Sequence, residues 1–74
     1  METENKSYIL VGINKGEYLR AIMGTDQYMW TKNVEDALRM PEMQYAKSIG
    51  QLINKTTGEP TRVAEITFTL KYAE

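Results

Sequence analysis

Val63-Ala64-Glu65-Ile66-Thr67-Phe68-Thr69-Leu70-Lys71-Tyr72 alternates without a break. Ala64, Ile66, Phe68, Leu70 and Tyr72 fall on one side, and Val63, Glu65, Thr67, Thr69 and Lys71 on the other. Side chains of a strand point to opposite faces in turn, so the pattern predicts a strand with one packed face and one wet face. Residues 7–13 read differently. Tyr8 and Leu10 point one way and Ile9, Val11 and Ile13 the other, so both faces are apolar. A strand of that kind belongs inside a sheet, here between its hairpin partner and the C-terminal strand.

Between these two strands the chain is punctuated clearly. Asn14-Lys15-Gly16 supplies a three-residue hairpin loop, and residues 17–23 return as a second strand. Leu19, Ala21 and Met23 alternate there with Tyr18, Arg20 and Ile22. After a second turn at Gly24-Thr25-Asp26, Tyr28-Met29-Trp30 makes a short edge strand. Asn33 is a helix cap, Glu35 and Asp36 follow at the positive end of the dipole, and Val34, Ala37 and Leu38 form an apolar side. Pro41 forces Met40 out of the α region and ends that helix. The same proline is well placed to open a second helix. That helix covers residues 42–54, with Tyr45, Ala46, Ile49, Leu52 and Ile53 along one side. Gly50 weakens it by about 1 kcal/mol relative to alanine, which implies a close approach of helix and sheet. Residues 56–60 form a loop.

The order β-β-(β)-α-α-β predicts a small α+β domain: a mainly antiparallel, three- to four-stranded sheet with two helices packed on one face. The chain is expected to form a single domain over residues 1–74, with residues 1–6 as a disordered N-terminal tail. At this length only about 60% of the unfolded surface is buried. No cysteine is present to reinforce the core, so oligomerisation is a live expectation.

Composition removes most chemistry. Without histidine or cysteine there is no Ser-His-Asp or Cys-His mechanism and none of the usual transition-metal ligands. The five glycines are isolated and match no phosphate-binding spacing, and Asp26 stands alone where a calcium loop needs clustered oxygens. Glu35 and Asp36 are neighbours at a helix start, where acids are structural. The expectation is a non-enzymatic protein without cofactor or metal; a small enzyme built on carboxylates alone is a distant alternative. The polar start and the short apolar runs predict a cytoplasmic protein with no membrane partner.

Net charge is −1, from nine basic and ten acidic residues. Residues 1–37 hold four basic and six acidic groups and residues 38–74 five and four, so neither half has the excess of a phosphate binder. What remains are surfaces. With Ile9, Val11, Leu19, Ala21, Ile66, Phe68 and Leu70 facing the helices, the open side carries Tyr8, Leu10, Tyr18, Arg20, Ile22, Thr67 and Thr69. A Met-aromatic cluster of Met23, Tyr28, Met29, Trp30, Met40 and Met43 is a second candidate, weighed against plain core filling. Tyr8, Tyr18, Arg20, Ile22, Tyr28 and Trp30 are therefore the candidate partner-binding residues.

The Tyr8-Ile9-Leu10-Val11 strand, the return through Tyr18-Leu19-Arg20, Trp30-Thr31, Glu35-Asp36-Ala37 and Tyr45-Ala46-Lys47-Ser48-Ile49-Gly50 together resemble the short accessory proteins of phages and prophages of Gram-positive bacteria. The resemblance is one of pattern over most of the chain and brings no functional residues with it. It implies a β-β-α-β module that binds a host component stoichiometrically, the category of host-takeover factors and anti-CRISPR inhibitors. Two readings follow. The first is a protein-interaction module whose partner is a host protein or a second copy in a homodimer. The alternative is single-stranded nucleic-acid binding with bases stacked on Tyr8, Tyr18 or Tyr28, which the net charge disfavours.

Overall fold

The computed structural model describes residues 2–71, with side chains described over 6–67. Its elements are β1 (Glu2–Gly12), β2 (Glu17–Ala21), β3 (Tyr28–Thr31), α1 (Met43–Thr57) and β4 (Thr61–Lys71). The strands form one antiparallel sheet in the order β3-β2-β1-β4. The strand apolar on both faces thus lies inside the sheet, flanked as its composition predicts, and Tyr28–Thr31 forms an edge. β1 begins earlier than its residue types indicate. Residues 2–6, expected as a free tail, pair in register with 71–67, because a backbone ladder needs an extended partner rather than apolar side chains.

Only one of the two expected helices forms. Residues 34–36 make a single 3₁₀ turn, capped by the Asn33 side chain, which accepts from the Glu35 N–H at 3.0 Å. Ala37 is already extended (φ −65°, ψ 143°). The window before Pro41 is too short to repay helix nucleation, and the sheet offers Leu38 and Met40 better partners. The Leu38 N–H donates to the Leu19 carbonyl at 2.9 Å, and Tyr8 and Met40 exchange two backbone bonds of 2.8 Å. The segment thereby bridges β1 and β2 where their own ladder stops. α1 runs three residues beyond the expected end at Asn54. It closes at Gly58, whose φ of 79° stops the helix, while the Gly58 N–H donates to the Asn54 carbonyl.

The first hairpin decides which face is which. Gly12 pairs with Glu17, so the loop holds four residues, 13–16, with Gly16 at φ 65°. A three-residue loop would pair Val11 with Leu19; the extra residue sets Val11 opposite Tyr18 and brings Leu10 into phase with Leu19. A one-residue slip turns every side chain over. The helix face therefore carries Tyr8, Leu10, Leu19 and Val63, not Ile9, Val11 and Ile66. Leu10, Leu19, Met40, Ala46 and Ile53 form the core. Tyr45 and Leu52, expected on the buried side of α1, are half exposed, because the buried stripe runs through Ala46, Gly50 and Ile53. Gly50 does sit at the close approach expected of it: a Cβ there would lie 2.5 Å from Thr61 Oγ1 and 3.2 Å from Leu10 Cδ2.

Candidate functional site

The inverted register gives the sheet an apolar face with no helix on it among the described residues. Cross-strand pairing arranges this face in rows. Arg62, Val11, Tyr18 and Thr31 form one row across all four strands. Beside it Ala64 pairs with Ile9, and Arg20 with Met29; Ile66 opposite Ser7 follows. Ile9 is buried, Val11, Tyr18, Arg20, Ala64 and Ile66 are half-buried, and Met29 and Arg62 are exposed. The strict alternation of the C-terminal strand thus serves a different purpose from the one read in it. Ala64 and Ile66 extend the open apolar face, and Val63 and Glu65 turn to the helix side, where Val63 packs against the core and Glu65 stays exposed.

Charge on this face is of one sign. In its cross-strand rows the charged side chains are Arg20 and Arg62, and none of the described positions in those rows is acidic. The ion pair of Lys6 with Glu65, at 3.7 Å, involves neither arginine. Tyr18 supplies an aromatic plate between them. Aliphatic surface with Tyr and Arg at its margin is the composition of interface anchors.

The six candidate residues separate into three groups. Tyr18 and Arg20 lie on the uncovered face, two positions apart on β2. Tyr8, Tyr28 and Trp30 are on the opposite side, packed against the core; the Trp30 ring lies over Gly12, where a Cβ would come within 2.9 Å of it. Ile22 falls just past β2 in a turn, its N–H donating to Gln27 and its carbonyl accepting from Thr25. Leu10, expected on the open side, is fully buried under α1. The Met-aromatic cluster divides: Met40 is core with Tyr28 and Trp30 packed against it, as core filling expects, while Met29 and Met43 are exposed and Met23 is 96% exposed.

One buried acid escaped the sequence reading. Glu59 is 8% exposed, and its Oε2 accepts from the backbone N–H groups of Asn14 (2.8 Å) and Lys15 (3.2 Å). It ties the loop before β4 to the β1–β2 turn, reinforced by the Ile13 N–H donating to the Pro60 carbonyl. Its carboxylate replaces water for two turn amides that the hairpin leaves unpaired. Acid in a polar loop gives no periodic signal, so only the fold shows it.

Among the described residues no cluster of three or more acids is placed to hold a metal ion, and no buried side-chain polar atom lacks a hydrogen bond. Among the described residues no helix is long and apolar enough to cross a membrane. Comparison with family models, with curated proteins and with solved structures gives no match.

Proposed function

We propose that this protein is a non-catalytic interaction module that binds a protein partner through the uncovered sheet face. The observation that carries the reading is the continuous aliphatic surface of Val11, Ala64 and Ile66 with Tyr18, Arg20 and Arg62 at its margin and no acid among them. Its complement is an apolar surface with an acidic rim. The resemblance to phage accessory proteins supports a bacterial host protein as that partner, with inhibition of a host factor, anti-CRISPR activity included, as the category of action. Two copies stacked on this face would set arginines against arginines, which favours a heterologous partner over a homodimer. Stacking of single-stranded nucleic acid is the weaker reading, because Tyr8 and Tyr28 pack on the helix side and only Tyr18 remains as a platform.

The test is a pull-down from a Gram-positive bacterial lysate with wild-type protein, Arg20→Glu and, as a control on the far side of α1, Lys55→Ala. One host protein should survive a moderate-salt wash on wild type and on Lys55→Ala and be lost on Arg20→Glu. Equal capture by all three variants would falsify the assignment to this face. Recovery of oligonucleotides that wash off with rising salt would turn the reading to nucleic acid.

A further inference from the structure

β4 is an edge strand of eleven residues, and it borders a groove. α1 packs on both β4 and β1, closest where Gly50 meets Thr61, and a trough opens between the outer flank of the helix and the β4 edge. It comprises two adjoining hollows of about 420 and 260 Å³ that share Lys47, Thr61 and Val63. Met43 and Tyr8 close its apolar end. On the helix the lining residues Met43, Lys47, Gln51 and Asn54 recur at three- to four-residue intervals, a single stripe running beside the strand.

The backbone of that strand is poised outward at the same residues. The Tyr8 N–H and carbonyl are directed at Met40, away from β4, so Tyr8 and Glu65 form a non-hydrogen-bonded pair. By the antiparallel alternation Thr61, Val63 and Glu65 turn their own N–H and carbonyl groups to the open edge. These are the β4 residues whose side chains line the trough. Long edges are a template for another strand. Charge selects which strand. Glu65 is already paired with Lys6, whereas Lys47 has no ion-pair partner among the described residues, and Arg62 flanks the same edge on the other face.

We infer that the β4 edge and the α1–β4 trough bind an extended segment of a partner protein as a fifth strand, taking an apolar side chain between Met43 and Val63 and an acidic one, two residues away, against Lys47. This deepens the interaction-module reading by naming a peptide site for it. Main-chain bonds to Thr61, Val63 and Glu65 supply affinity, and the two trough contacts supply selectivity.

The probe is a labelled, acetylated and amidated peptide, Thr-Val-Thr-Glu-Thr-Val-Thr, which presents Val, Glu and Val on one face, titrated by fluorescence polarisation. Saturable binding is expected, weakened about tenfold when lysine replaces the glutamate. The Lys47→Glu protein should reverse that preference. Two peptides of the same sequence, N-methylated at alternate positions, separate edge pairing from mere charge attraction. One set of amides faces β4 and the other faces away, so one peptide should lose binding and the other keep it. No saturation, equal binding by both methylated peptides, or an unchanged preference in Lys47→Glu overturns the proposal, as does pairing of β4 with a second copy. Such a failure beside a selective loss in Arg20→Glu would remove the edge site and leave the sheet-face reading standing. The converse result would move the partner to the edge.

Discussion

Gly50 marks the point where α1 and the sheet come closest, and its substitution sets two magnitudes against each other. Alanine would gain about 1 kcal/mol of helix propensity, while overpacking a filled site costs about 1–3 kcal/mol. The nearest atom is Thr61 Oγ1, on a β-branched side chain whose rotation brings its methyl group toward the same space. Overpacking should prevail: Gly50→Ala is expected to lower stability by about 1 kcal/mol, read from urea unfolding. Adding Thr61→Ala removes the obstructing oxygen and should recover the loss; a single variant more stable than wild type would show that the helix stands off the sheet. Gly50 was legible as a point of close approach because a glycine in mid-helix has few other uses. Glu59 and Gly12 were not, since their meaning comes from Asn14, Lys15 and Trp30, which only the fold brings to them.

At the scale of elements, β4 is bonded on one side only, and its amides should report it. Arg62 and Ala64 direct their N–H groups to Val11 and Ile9, whereas Val63 and Glu65 direct theirs to solvent. Hydrogen exchange is expected to alternate along the strand, slow at residues 62 and 64 and fast at 63 and 65, with Tyr8 and Met40 slow through their mutual pair. Uniform protection along 62–65 would mean that the edge is covered in solution. The segment 33–40 shows where local reading gives way. Its cap, acids and apolar spacing are those of a helix start, yet two sheet edges compete for Leu38 and Met40, and Pro41 prevents the helix from growing long enough to win. Tertiary hydrogen bonds outweigh a weak local preference there. The helix that formed is the one with the sustained period.

For the whole molecule, the buried apolar core is small: among the described residues seven hydrophobic side chains are buried, and of these Leu10, Leu19 and Met40 are both large and below 2% exposure. The radius of gyration is 13.5 Å, against about 11 Å for a compact chain of this length. The paired run of β1 and β4 past the end of α1 accounts for an extended molecule with a longest dimension of 47 Å. An uncovered apolar face on such a protein makes self-association the obvious outcome, but Arg20 and Arg62 oppose it. Light scattering should return the monomer mass of 8.5 kDa. Twice that mass, lost at the first substitution of Arg20, would assign the face to a second copy of the chain.

The class of fold followed from the sequence because periodicity is a local property. An alternating strand, a strand apolar on both sides and a sustained helical period state their own geometry, and apolarity on both faces places the two-sided strand inside the sheet. Composition likewise set aside histidine and cysteine chemistry without any coordinates. Which apolar face of β1 receives the helix was not a local property. It turned on one residue in the 13–16 loop, which fixes the register of β2 and, through it, whether Leu10 or Val11 meets Leu19. Because side chains alternate with a period of two, that single residue placed Ile9, Val11, Ala64 and Ile66 on the open face with Tyr18 and Arg20, and left Val63 and Glu65 beside the helix to line a groove.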